Sequence, residues 1–366
     1  MMKAGIIGCG VISSAYLSNK DKFPNLQITK CADIKPEAAK NIAEKFGIEA
    51  CSVQELLADP EIDIVLNLTI PAAHAEVDLA ALHANKHVYS EKPLAVTMEQ
   101  ADQIMALAAE KNLRVGCAPD TFLGGGHQSC RALIDSGMIG KITGGIALML
   151  VPGHESWHTA PAFYYQIGGG PLFDMGPYYL TALVNMLGPV KSVSAFTTRA
   201  TDCRKGSGVN AGKTFDVEVD THISAVLQFA CGAVINFTMS FDVCMCSPNM
   251  CNGIELWGLD GALRVPDPNT FNGDILFHKV GLTSNWSPAA NRHIYNENFR
   301  IIGLADMALA IEENRPHRAS GELAYHVLEV MCSIIKAAET KQYIDIKSTC
   351  ERPAPLAAGL KCGEIA

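Results

Sequence analysis

Along the first third of the chain, apolar runs short enough to be strands alternate with segments of helical period, and nothing else constrains the fold as much. "KAGIIG" (3–8), "NLQITKCAD" (25–33), "IDIVLNLT" (62–69), "KHVYS" (86–90) and "LRVGCAP" (113–119) read as strands. Between them, "VISSAYLSNK" (11–20), "KPEAAKNIAEKFG" (35–47), "AAHAEVDLAALHAN" (72–85) and "TMEQADQIMALAAEKN" (97–112) read as helices, the second stopping at a glycine and the last starting at a threonine cap. "IDIVLNLT" is almost wholly apolar, as a strand covered on both faces of a parallel sheet must be. Regular alternation of this kind predicts an α/β chain with a parallel, doubly wound sheet, placed here at residues 1–122.

The chain changes style after residue 122. "KITGGIALMLV" (141–151), "VKSVSAFTTRA" (190–200), "VDTHISAVLQFACGAVINFTMSF" (219–241) and "GIELWGLDGALRV" (253–265) are longer and β-rich, with hairpin-like turns at "FACGAV" and "GLDGAL". They predict a largely antiparallel sheet in a second domain, 123–366, with helices near 128–138, 175–187, 303–313 and 320–340. The Pro- and Ala-rich tail "STCERPAPLAAGL" (348–360) is expected to lie over the surface. A length of 366 residues fits two domains better than one core.

Charge and cysteine usage narrow the function classes. A net charge of -9 argues against nucleic acid or an anionic membrane as partner, since phosphate-binding surfaces carry a basic excess. No apolar run is long enough to span a bilayer, and "MMKAGIIGCG" has no signal-peptide pattern. The thirteen cysteines lie scattered without paired spacing, which suits reduced thiols and a cytoplasmic location.

The first strand runs into Gly8, Cys9, Gly10, Val11, Ile12 and Ser13, at the junction where the dinucleotide fingerprint asks for Gly-x-Gly-x-x-Gly or Ala. Gly8 permits the tight turn. Gly10 lets the backbone approach a pyrophosphate resting on the helix N-terminus, and the small Ser13 stands for the third glycine. The second strand ends at Asp33, twenty residues after Ser13. A carboxylate there accepts from both ribose hydroxyls and repels a 2′-phosphate, so NAD is expected rather than NADP, with Lys35 able to soften the preference. The structural alternative makes Asp33 a helix-start cap before Pro36.

"HVYSEKPLAV" (87–96) sets Glu91, Lys92 and Pro93 at the end of a buried strand. Alone this is a turn with an ion pair. Beside a bound cofactor, a lysine at a strand's carboxyl end can hold a reacting hydroxyl as negative charge grows on its oxygen. Pro93 makes a cis Lys92–Pro93 peptide plausible.

Through "GIIGCG", "LTIPAAH", "SEKPLA" and "GGGPLFDMGPYYL" the chain resembles the Gfo/Idh/MocA oxidoreductases over nearly its whole length. The resemblance implies a Rossmann domain followed by a substrate-binding and oligomerisation α/β domain with a large open, mainly antiparallel sheet. It implies that Lys92 is catalytic, that Glu91 lies near the nicotinamide, and that Thr69, Ile70, Pro71 and His74 line the cofactor. It also implies a homodimer or homotetramer that buries one sheet face. The pattern departs at one place: the family's Asp-x-x-x-His reads Asp174 to Tyr178 here. Residues four apart share a helix face, and some members use a tyrosine, so Asp174 and Tyr178 become catalytic candidates with Tyr178 exchanging the proton. Tyrosine ionises near pH 10, and an ammonium such as that of Lys92 favours its ionised form. Tyr179 points about 100° away. The alternative makes Tyr178 a packing aromatic.

"GHESWHTAPAFYYQIGGGP" gathers His154, Trp157, His158, Tyr164 and Tyr165. Trp157 suits stacking on a sugar ring and His158 suits bonding its hydroxyls. Asp120, Thr121 and Gln128 follow the last strand of the first domain, and Asp120 is a substrate-contact candidate; the arginine usual in the family is not visible there. Cys244, Cys246 and Cys251 lack a Cys-x-x-Cys step, so a turn is expected and no metal. His317 and His326 read as helix-end and packing residues. Three functions remain: an NAD-dependent dehydrogenase of a sugar or polyol; a redox-neutral enzyme whose retained NAD oxidises a sugar transiently, allowing elimination, epimerisation or glycoside cleavage; and a non-catalytic NAD- or sugar-binding regulator. Lys92 and Asp174 argue against the last.

Overall fold

The computed structural model describes residues 1–246 and 251–365. Its first part alternates as expected: β1 (Met2–Ile7), α1 (Val11–Leu17), β2 (Leu26–Ala32), α2 (Pro36–Phe46), β3 (Glu49–Ala50), α3 (Val53–Ala58), β4 (Ile64–Asn67), α4 (Pro71–His83), β5 (His87–Ser90), α5 (Met98–Glu110), β6 (Val115–Cys117) and α6 (Gly125–Asp135). Local chemistry sets these bounds. Pro36 and Pro71 open α2 and α4, where a missing N–H costs nothing. The Thr97 hydroxyl accepts from the Gln100 N–H and starts α5. Gly47, left-handed at φ 67°, ends α2. The strands pair in the order β3-β2-β1-β4-β5-β6, every pairing parallel. The order reverses between β1 and β4, the switch point at which such sheets take ligands off their carboxyl ends.

The chain continues through β7 (Ile142–Leu150), α7 (Gly170–Leu187), β8 (Val190–Thr198), β9 (Cys203–Lys205), β10 (Thr214–Asp216), β11 (His222–Phe229), β12 (Val234–Ser240), β13 (Asn252–Gly258), β14 (Gly261–Val265), β15 (Leu276–Lys279) and β16 (Ser287–Pro288). It ends with α8 (Ile302–Glu312), α9 (Gly321–Thr340) and β17 (Ile344–Asp345). Nine strands form one sheet, β16-β15-β14-β13-β7-β12-β11-β8-β17, in which β7 and β12 are parallel and the other pairings antiparallel. Ile223, Ala225 and Leu227 of β11 and Ile235, Phe237 and Met239 of β12 are buried on one face, which packs on α7. That helix starts at Gly170, before the 175 expected, because glycines and prolines hide its first turns from propensity; Pro177 even sits inside it.

Contacts divide the chain into two compact units that are discontinuous in sequence. Met1–Gln128, Arg292–Leu328 and Pro353–Ala366 make the first; Ser129–Asn291 and Glu329–Arg352 make the second. The expected division at 122/123 differs, because the first unit takes back two later segments. Its buried Asp306 bonds Arg318, and Arg318 in turn donates to the Ala354 and Pro355 carbonyls. The tail is therefore not simply draped on the surface: Leu356 is buried, and its N–H donates to Gln128 Oε1 at 2.8 Å. Cys246 and Cys251 are joined by a disulfide, which corrects the expectation of thirteen reduced thiols. Among the described residues no helix is long and apolar enough to cross a membrane, and no group of three or more His, Cys, Asp or Glu is placed to hold a metal ion.

Candidate functional site

In the first unit the carboxyl ends of β1, β2 and β4 form an open cradle. Gly8 has φ +102°, and a Cβ there would lie 2.6 Å from the Leu68 carbonyl carbon, so the position demands glycine. A Cβ at Gly10 would meet no described atom within 4 Å, so its backbone faces open space. The Asp33 carboxylate is fixed by the N–H groups of Cys9 and Lys35, each 2.8 Å away. Cys9 is buried with its Sγ toward the Ala32 carbonyl. Val11, Ile34 and Ile70 are 95%, 90% and 69% exposed, three large apolar side chains at this edge. Ile12, behind Val11 on α1, is half-buried. Open backbone at a tight turn, a fixed carboxylate one strand away and uncovered apolar side chains together fit a dinucleotide.

Lys92 follows β5 at the same sheet edge, half-buried, and its peptide to Pro93 is cis. A polar framework lies around it. Glu91, 8% exposed, accepts from the Tyr16 hydroxyl (2.8 Å) and the Lys92 N–H (3.0 Å), while its own N–H donates to the Asn67 carbonyl (2.8 Å). Asn67 Oδ1 accepts from the Thr69 hydroxyl (2.6 Å), and its amide donates to Asp78 Oδ1 (2.7 Å) and the His74 carbonyl (3.1 Å). The Ser90 hydroxyl also donates to Asp78, whose carboxyl is pushed up to about 6 by burial against these bonds. His74 is wholly buried, with Nδ1 2.7 Å from the Pro93 carbonyl and Nε2 3.1 Å from that of Thr69. The structure thus turns His74 and Glu91 into the protein; the exposed residues of the expected lining are Ile70 and Pro71's neighbourhood at the start of α4. Asp120 is 1% exposed and accepts from the N–H groups of Ile301 (3.0 Å) and Gly303 (3.1 Å), so its carboxylate caps α8. Sequence reasoning missed Tyr16, Asn67, Asp78 and Ser90. The one available signal was Asn67, a polar residue ending an apolar strand.

In the second unit Asp174 and Tyr178 lie one turn apart on α7, Asp174 half-buried and Tyr178 7% exposed. His154 Nε2 is 3.7 Å from Asp174 Oδ2. The His154 ring stacks on Tyr164 (centroids 3.9 Å, 17° between planes) and meets Phe241 edge-on at 4.5 Å. Trp157 and Phe163 are exposed beside them, and the His158 ring is edge-on to Trp157. Arg204 clamps this loop: it donates to Glu155 and Asp242 at 2.6 Å each and to the Pro152 and Phe241 carbonyls. Glu155 also accepts from the Tyr165 hydroxyl, and Asn210 donates to the Glu155 and His158 carbonyls. Arg204 had no local sequence signal, since its partners are distant in the chain.

Residues 2–118 match the family model described as oxidoreductase family, NAD-binding Rossmann fold, and residues 127–264 match the GFO/IDH/MocA C-terminal domain. The chain is 25% identical over 356 residues to the 1,5-anhydro-D-fructose reductase of Ensifer adhaerens, covering 95% of this chain and 99% of the relative. It is 31% identical over 170 residues to the inositol 2-dehydrogenase of Salmonella typhimurium, covering 44% and 48%. Its fold matches a levoglucosan dehydrogenase in complex with NADH and L-sorbose at a TM-score of 0.80, with 21% identity over 95% of this chain and 99% of that one.

Proposed function

The chain belongs to the GFO/IDH/MocA oxidoreductase family, and from that premise we propose that it transfers a hydride between NAD and a CH–OH carbon of a sugar, sugar derivative or polyol. One observation carries the reading: the turn after β1, Asp33 after β2 and Lys92 after β5 share the carboxyl edge of one parallel sheet. The named relatives support the substrate class, since an anhydro sugar and inositol are both polyhydroxylated rings.

NAD, when bound, supplies the acceptor or donor of the hydride. The backbone from Gly8 through Cys9, Gly10, Val11 and Ile12 holds its pyrophosphate, Asp33 its ribose hydroxyls, and Thr69, Ile70 and Pro71 line it. Glu91, His74 and Asp120 serve as framework. Lys92 holds the reacting hydroxyl and balances the charge that grows on its oxygen. Asp174 orients the substrate, Tyr178 takes the proton, Trp157 stacks on the ring and His158 bonds its hydroxyls. The 3.7 Å contact between His154 and Asp174 favours a second assignment of the proton, to His154, because imidazole exchanges protons near neutral pH far more readily than a phenol does. The open face of the nine-stranded sheet supports a homodimer or homotetramer.

The test offers NAD and a panel of anhydro sugars, inositols and aldoses to the purified protein and follows NADH in single turnovers. Lys92→Ala should lose about a hundredfold in rate with NAD binding retained. A Tyr178→Phe deficit that shrinks at high pH assigns the proton to Tyr178; a His154→Asn deficit rescued by added imidazole assigns it to His154. A near-normal rate in Lys92→Ala would overturn the catalytic role. NADH released on turnover marks net oxidation, whereas NADH formed and kept marks the redox-neutral reading.

A further inference from the structure

We propose that His74 is a positioning residue for Lys92, tying the turn beside the dinucleotide cradle to the backbone just past the lysine; this rests on the reading of Lys92 as catalytic. His74 has no exposed surface, so its ring touches neither cofactor nor substrate. Its ring nitrogens each face a backbone carbonyl. One belongs to Thr69, whose successor Ile70 is exposed at the cradle; the other belongs to Pro93, immediately after Lys92. Upstream, Lys92 is anchored through Glu91, which is held by Tyr16 and Asn67. Downstream, the bond to His74 is the polar anchor before Leu94 and Ala95 enter the core at 1% and 0% exposure. The lysine therefore stands between two anchors, one from α1 and β4 and the other from α4. Both contacts are to carbonyls, which only accept, and each imidazole tautomer carries one N–H; the shorter contact marks Nδ1–H as the donor to Pro93, with Nε2 lying against the Thr69 carbonyl. Asp78, one turn along α4, holds Ser90 and Asn67, so the same helix also braces the residues that enter the lysine turn.

Two conservative variants divide the role. The amide nitrogen of asparagine reaches where Nδ1 lies, and that of glutamine where Nε2 lies. His74→Asn thus keeps the Pro93 bond, whereas His74→Gln loses it and keeps a polar atom only beside Thr69. Lys92 is read directly by competitive acetylation of the full chain with acetic anhydride, comparing its labelling by peptide mass spectrometry with that of exposed Lys40. NADH affinity is read by fluorescence titration. His74→Gln should change Lys92 labelling severalfold relative to Lys40 while NADH affinity holds, and His74→Asn should leave Lys92 near wild type. Equal labelling of Lys92 in wild type and both variants, or a loss of NADH affinity alone, would overturn the proposal. If neither variant folds, imidazole NMR of the wild type decides: an exchange-protected Nδ1–H on His74 supports the brace and its absence refutes it. The catalytic reading of Lys92 fails separately, through the rate of Lys92→Ala.

Discussion

Asp33 has a structural duty beside the cofactor role proposed for it. Its carboxylate closes the β1–α1 turn by accepting the Cys9 N–H and also accepts from Lys35, yet each oxygen keeps a lone pair for a ribose hydroxyl. Asp33→Ala removes the ribose partner and the charge that repels a 2′-phosphate. NAD affinity should fall about tenfold, and the ratio of NADP to NAD affinity should rise, measured by calorimetry on both nucleotides. Tighter binding of NADP by the wild type would refute this account of β2. Asp33 was legible because its spacing from the glycine turn is a local quantity. His74 was legible as a residue of interest but not as a framework residue, because its burial depends on where Pro93 lies after folding.

Two elements depend on a single distant side chain. Helix α8 follows Ile301, left-handed at φ 108°, and is capped from another segment by Asp120. Burial raises the Asp120 carboxyl to about 6, against the pull of the Gly303 and Ile301 N–H groups. Its folded value lies above its unfolded one, so between about pH 4 and pH 6 the native state binds the extra proton and stability from this group falls as pH rises. Asp120→Asn keeps an acceptor for the cap and should remove that fall, up to about 1.4 kcal/mol per pH unit, in denaturant unfolding from pH 4 to 7. The loop before α7 depends likewise on Arg204, whose partners Glu155 and Asp242 are mostly buried. Arg204→Ala strands both carboxylates and should cost about 3–5 kcal/mol, with faster amide exchange around His154 and Glu155. Arg204→Lys should not restore it, since lysine lacks the fork that reaches both carboxylates at once.

At the scale of the molecule, the nine-stranded sheet buries one face against α7 and leaves large apolar side chains of the other exposed. Cross-strand register aligns Phe196 with Ser224 and Val226 with Asn236 and Ser194 on that outer face, with Ile146, Leu148 and Trp257 on the neighbouring strands. Phe196 is 78% exposed, and Val226, Val234 and Trp257 are each about two-fifths exposed. A face of this composition favours self-association. Light scattering at micromolar concentration should find a dimer or tetramer, and the pair Ile146→Glu with Val226→Glu should give monomers that still bind NADH. A monomeric wild type would remove the proposal.

By itself the sequence determined the parallel sheet, the glycine turn with Asp33, the lysine after β5 and the shared helix face of Asp174 and Tyr178. Each of these is written within a few residues, as period, turn chemistry or spacing. The tertiary structure alone decided that His74 and Asp120 are spent inside the first unit, that Arg204 clamps the aromatic loop, that His154 stands beside Asp174, and that the tail and residues 292–328 join the first unit. Those outcomes depend on which distant backbone carbonyl or carboxylate arrives beside a side chain, and that is set by the register and packing of whole elements, which no local pattern encodes.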